Sequence, residues 1–208
     1  MLNTIVYFQH NSEPQRRENM EVFDAIERRR SIRKYRPSSM PEEDLRRILE
    51  SARLAPSAHN WQPWRFVVVR DPATIERLAA EGVPRNESFI ANAASIVVAL
   101  ANPLLRPAAG PGARPESYWV RRSTDWFKMD TMIAIEHMIL TSTSLGYGTC
   151  WIGTFEENKI KQMLGIPEEL STIALLAIGA PDEDPKPRPR KDFKEVFCDE
   201  KYGIPLAI

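Results

Sequence analysis

The chain has little cysteine. Cys150 and Cys198 are the only two in 208 residues, and neither sits in a ligand or redox motif. So few thiols fit a reducing compartment better than a disulfide-stapled secreted fold, although pairing of the two with each other is left open. No apolar run approaches the ~18 residues of a membrane span. The opening Met1-Leu2-Asn3-Thr4-Ile5 lacks a basic region leading into an apolar one, so no secretion signal is expected and the cytoplasm follows by elimination. Neither charge is in excess. The 28 basic and 28 acidic residues cancel, which counts against a general nucleic-acid binder. His10, His59 and His137 are scattered without metal-ligand spacing. There is no Gly-x-Gly-x-x-Gly after a strand, no Walker loop and no serine in a nucleophile elbow, so phosphate binding or hydrolysis by those devices is not expected.

What is present is an ordinary globular composition, 43% hydrophobic and 27% charged, in a chain long enough to bury about 70% of its unfolded surface. Residues 1–19 carry no clear periodicity and turn polar after Phe8, so they read as an extension, and 20–208 read as one domain. From Met20, Val22, Phe23 and Ile26 fall at one-face helical spacing. Ser39-Met40-Pro41-Glu42 has the spacing of a capping box, and a helix with Leu45, Ile48, Leu49 and Ala52 inward should stop before Pro56. Arg65–Val69 and Thr172–Gly179 read as buried strands, and Ser95–Leu100 as another strand. Asp71-Pro72 opens a helix. Residues 102–115 are rich in proline and glycine and read as a surface excursion suited to a lid or insertion. A long helix from about Ser117 to about Ser144 carries Met129, Ile133, Ile135, Met138, Ile139 and Leu140. That stripe is wider than one exposed amphipathic helix needs, so it reads as a central helix, one open to sharing with a partner subunit.

The most unusual stretch is Arg28–Arg36, in which six of nine residues are cationic. So much local charge repels itself unless water or a bound anion screens it. A solvated basic turn is the ordinary fate of such a run, and cations just past a helix end also suit its dipole. A second group, Lys186, Arg188 and Arg190, alternates along a segment with four prolines between Pro181 and Arg190. An extended chain there presents all three to one side. The two groups repel in one fold unless they lie apart or an anion sits between them.

The run Arg29-Arg30-Ser31-Ile32-Arg33, followed by Ala55-Pro56-Ser57-Ala58-His59-Asn60-Trp61-Gln62-Pro63-Trp64, strongly resembles the FMN-dependent nitroreductase family. Leu145–Gly153, Leu164–Pro167, Ile178–Pro181 and the arginine-bearing tail look like later landmarks of that family, in the same order. The resemblance implies an α+β fold with a mixed, mainly antiparallel sheet flanked by helices, in an intertwined homodimer with FMN in clefts between subunits. It implies that Arg29, with Arg188 or Arg190, binds the FMN phosphate, and that Ser31 adds a hydrogen bond to phosphate or ribityl oxygen. Arg30 belongs to the same candidate set. Arg33 is implied to lie near N1 and O2 of the flavin, where negative charge settles on reduction. Asn86 matches a ring-binding position, and Gly153 and Thr154 match the backbone near N5. Pro56, Ser57, Ala58 and Asn60, with Gln62, match the loop that reaches the flavin from the other subunit. Loop packing is the plain explanation for Trp61 and Trp64.

The activity so implied is ping-pong transfer of two electrons from NADH or NADPH, through FMN, to a nitroaromatic, quinone or similar small acceptor. No side chain is needed as acid or base, so none is named as catalytic. Two alternatives stand beside it. One is specialised flavin chemistry such as reductive dehalogenation. The other is a non-enzymatic protein holding an anion or RNA on Arg28–Arg36. Phe89 stands where some members carry lysine, which removes one cation from the flavin environment.

Overall fold

The computed structural model describes residues 20–83, 90–104 and 125–208. The proposed 1–19 extension, Asn86, Phe89 and most of the 102–115 excursion lie outside the described residues. The elements in order are α1 (Val22–Arg28), β1 (Tyr35–Arg36), α2 (Glu42–Arg53), β2 (Trp64–Val69), α3 (Pro72–Arg77), β3 (Ser95–Ala101), α4 (Trp126–Ser144), β4 (Gly148–Ile152), α5 (Glu157–Leu164), β5 (Ser171–Pro181) and α6 (Phe193–Val196).

β5 organises the sheet. β3 runs along one of its edges, with β2 outside β3. Along its other edge, β4 covers Leu175–Gly179 and β1 covers Ala180–Pro181. Every ladder among the described strands is antiparallel. The mixed character expected of the sheet reduces to a single parallel bridge, Ser31 to Thr149.

β3 is buried along its whole length, Ser95 included. Alternate residues serve opposite faces. Ile96, Val98 and Leu100 pack with Leu78, Ile160, Leu175 and Ala177. Val97 and Ala99 pack with Ile48 of α2, Ile135 and Met138 of α4, and Leu176 of β5. The result is a sheet between two helical layers.

One expectation for a helix is corrected, and two apolar stripes are only partly covered. Ser39 does not cap α2: Pro41 stands at the N-cap without a side-chain bond, and Glu42, Glu43 and Asp44 supply the negative charge that suits the first turn. The apolar stripe of α1 is not buried in its own chain. Val22 and Phe23 are 69% and 72% exposed, and Ala25 is the residue that packs inward. The wide stripe of α4 also divides: Ile135, Met138 and Ile139 are buried, while Met129, Met132 and Ile133 face out. Asp71 caps α3 as predicted, accepting from Thr74 N at 2.9 Å. Trp64 is a buried core residue, and both cysteines are free. Among the described residues, no helix is long and apolar enough to cross a membrane.

Candidate functional site

The basic stretch is nailed to the sheet by its two apolar members. Ile32 and Tyr35 are buried. Ile32 N donates to Thr149 O at 2.8 Å, and the Tyr35 hydroxyl donates to Ile32 O at 2.8 Å. Burial pushes that hydroxyl far above the ordinary tyrosine range, so it stays a neutral donor. Room for both side chains comes from a pair of glycines facing each other across β4 and β5, Gly148 and Gly179. A Cβ on Gly148 would stand 2.6 Å from Ile32 Cγ1, and one on Gly179 would stand 2.9 Å from Tyr35 Cδ1. With Ile32 and Tyr35 pointing in, Arg33, Lys34 and Arg36 are left exposed and Arg29 and Arg30 half-buried.

The tail meets this stretch at the end of the β1–β5 ladder. Asp182 N donates to Lys34 O at 2.8 Å, and Arg33 N donates to the Glu183 carboxylate. The chain then runs on through Pro185, Pro187 and Pro189 without regular structure. Arg29, Arg30, Ser31 and Arg33 on one side and Lys186, Arg188 and Arg190 on the other line a single cleft of about 600 Å³, together with Ile26 and Glu27. Six cationic side chains thus share a cavity with one carboxylate. No ion pair among the described residues involves any of the six. Arg30 Nη1 is held by the carbonyls of Glu27 and Arg29, at 2.6 and 2.8 Å, which keeps its head beside Arg29. Glu136 of α4 feels the Arg29 charge: partial burial raises its carboxyl, and the guanidinium pulls it back. An anion with several oxygens would offset this concentration of positive charge.

The Pro56–Gln62 loop is built differently. His59, Asn60 and Gln62 all hold left-handed backbone, with φ of 50°, 58° and 49°. Such conformations cost free energy in non-glycine residues and persist only where the surroundings enforce them. Gln62 N donates to Ser57 Oγ at 2.9 Å, and Gln62 Nε2 donates to Asn60 Oδ1 at 3.0 Å. The His59 ring stacks on Trp61 at 5.3 Å and on Trp126 at 6.1 Å. The anchor is buried Asp130 of α4, whose two carboxylate oxygens lie 3.1 and 3.2 Å from Ala58 N.

Burial raises the Asp130 carboxyl above its ordinary range, and the Ala58 N–H offsets this only in part. The folded state therefore binds that proton more tightly than the unfolded chain. Stability from this site is fully present below about pH 3.9 and is lost as pH rises through the raised folded value. Asp130→Asn keeps an acceptor for Ala58 N without the buried charge. Its melting temperature is expected above that of the native protein at neutral pH, with the gap closing toward pH 4. Asp130→Ala, which leaves Ala58 N unpaired, should melt lower at both. A native-minus-Asn difference that does not change with pH would refute this.

Within one chain, Pro56, Ser57, Ala58, Asn60 and Gln62 are not among the residues lining the cationic cleft, nor are exposed Gly153 and Thr154 after β4. Lys186 lines it, although the resemblance named only the two tail arginines. Sequence reasoning missed Ile32, Tyr35, Gly148, Gly179, Glu183 and Asp130 as supports. The available signals were two apolar residues inside a charge run and one acid within the apolar stripe of α4.

Comparison with known proteins follows the same lines. Residues 26–180 match the nitroreductase family. A Thermus thermophilus protein named NADH dehydrogenase is 34% identical over 196 residues, covering 85% of this chain and 95% of its own. The crystal structure of a nitroreductase family protein from Clostridium novyi NT is 32% identical, with a TM-score of 0.66 over 90% of this chain and 97% of that one. An Exiguobacterium sibiricum protein solved in complex with FMN shares the fold at 24% identity, with a TM-score of 0.71 over 88% of this chain and 98% of that one.

Proposed function

Because the chain belongs to the nitroreductase family, we propose that it is an FMN-dependent oxidoreductase carrying two electrons from NADH or NADPH to a small acceptor such as a nitroaromatic or quinone. The observation that carries this reading is the convergence of Arg29, Arg30, Ser31 and Arg33 with Arg188 and Arg190 in one cleft, although about 150 residues lie between the two groups. Their donors suit a doubly negative phosphate, with guanidinium forks for its oxygens and the Ser31 hydroxyl beside them. When bound, FMN supplies the redox chemistry. The chain's own part is to hold the phosphate, fix the ring and limit access. Arg33 is assigned to the N1–O2 side of the ring, the backbone of Gly153 and Thr154 to the N5 side, and Asn86 to a ring hydrogen bond. No side chain is assigned a proton transfer.

The reading includes a homodimer in which Pro56, Ser57, Ala58, Asn60 and Gln62 of one copy face the FMN of the other. Its support is the uncovered apolar surface of a single chain: Val22, Phe23 and Ile26 on α1, Met129, Met132 and Ile133 on α4, and Phe193, Val196 and Phe197 in the tail. Faces of this kind mark association surfaces.

The purified protein is expected to be yellow and to sediment at twice the chain mass. Anaerobic stopped-flow mixing with NADH or NADPH should bleach the flavin, and a quinone or nitroaromatic should restore it. Failure of both nicotinamides would remove NAD(P)H from the proposal. A colourless protein with no affinity for added FMN would end it.

A further inference from the structure

The ladder joining the basic stretch to the tail steps down in register from Arg36↔Ala180 to Tyr35↔Pro181, then to the bond from Asp182 N to Lys34 O. At the next step the acceptor for Arg33 N is the side chain of Glu183 instead of a backbone carbonyl. Beyond it the two segments separate to form the walls of the cleft, Arg29–Arg33 on one side and Lys186–Arg190 on the other. Pro185, Pro187 and Pro189 have no N–H with which to extend the ladder. Among the described residues, the Glu183 bond is therefore the last tie between the walls. A carboxylate this close to a cationic anion site opposes anion binding through its charge. What it offers in return is geometric.

We propose that Glu183 is a positioning residue that sets the gap between the two cationic walls of the cleft, and through that gap the grip on a phosphate group. The inference rests on the reading of the cleft as the FMN phosphate site. Acceptor and charge roles separate cleanly by substitution. Glu183→Gln keeps the acceptor and loses the charge. Glu183→Asp keeps the charge, but its carboxylate is one methylene short of Arg33 N. Glu183→Ala loses both.

The measurement is the FMN dissociation constant of the full-length protein, by quenching of flavin fluorescence, with thermal melting alongside. Glu183→Asp and Glu183→Ala should each weaken FMN by about tenfold, and Glu183→Gln should stay within about twofold of native. The Asp variant retains a carboxylate at the same position, so it keeps the test alive if the Ala variant does not fold. Native-like binding by the Asp variant, or tighter binding by Gln and Ala together, would show a charge effect alone and overturn the proposal. Unchanged binding in all three would overturn it too. Arg188→Ala separates the two layers: if it leaves FMN affinity intact, the cleft reading fails whatever Glu183 does. If it weakens FMN while the Asp variant does not, only the Glu183 inference fails.

Discussion

Replacing Arg29 and Arg188 together by Ala should lower FMN affinity by up to about a hundredfold. The two residues line opposite walls of one cleft and come from opposite ends of the chain, so removing both leaves neither wall with its principal fork. A hydrogen bond to a charged group contributes about 1.5–3 kcal/mol. Arg29 is half-buried and Arg188 exposed, which places each at or below the lower bound, and two such losses together give no more than about two decades. The loss should shrink as salt rises, because the removed interactions are charge-assisted. The control is Lys34→Ala with Arg36→Ala: both are exposed and absent from the cleft lining, and FMN binding should not change. The measurement is a flavin titration at two ionic strengths. A double variant that binds FMN as tightly as the native protein would mean that the anion sits elsewhere. RNA binding that falls with the same arginines while FMN binding does not would favour the non-enzymatic alternative.

The second large effect changes no charge. Gly148→Ala should destabilise the protein by about 2–3 kcal/mol and weaken FMN binding as well. A Cβ at this position meets three carbon atoms of Ile32 at 2.6, 2.8 and 2.9 Å. Ile32 is buried, and its N–H is bonded to Thr149, the residue next to Gly148. The side chain has no free direction in which to retreat. Overpacking of this kind costs about 1–3 kcal/mol when backbone must shift, or roughly 2–12 °C in melting temperature for a chain of this size. The backbone that shifts is the one carrying Ser31 and Arg33. Adding Ile32→Ala to Gly148→Ala should give a smaller total loss than the sum of the single variants, because the second change removes the clashing atoms. Strict additivity in calorimetry, or a Gly148→Ala protein with native melting and native FMN affinity, would show that the glycine pair does not position the basic stretch.

Much of the fold was legible before any coordinates. The largely apolar runs at 95–100 and 172–179 are strands because β-branched and small apolar residues fill a sheet buried on both faces. Asp71-Pro72 opens a helix because its carboxylate satisfies Thr74 N and proline has no N–H to lose there. Ser39 shows where local chemistry misleads. Its spacing to Glu42 is that of a capping box, but helical backbone begins only at Glu42 and Pro41 takes the cap position. The stripe of α1 gave the helix and nothing more. Periodicity reports that an apolar face exists, and it does not say whether the covering surface is the same chain.

The candidate site divides along the same line. Which residues carry positive charge, and that two groups of them repel unless an anion joins them, follows from residue identity alone, because charge is a local property. That Arg29 and Arg188 share one cleft was decided by the antiparallel pairing of β1 with β5, which returns the tail to the start of the domain. Sequence patterns carry no distance across 150 residues, so only the ladder between them supplies it. The supports were hidden for the same reason. Gly148 and Gly179 mean room for Ile32 and Tyr35 only after the sheet has set them face to face, and the value of Glu183 appears only where the backbone ladder ends.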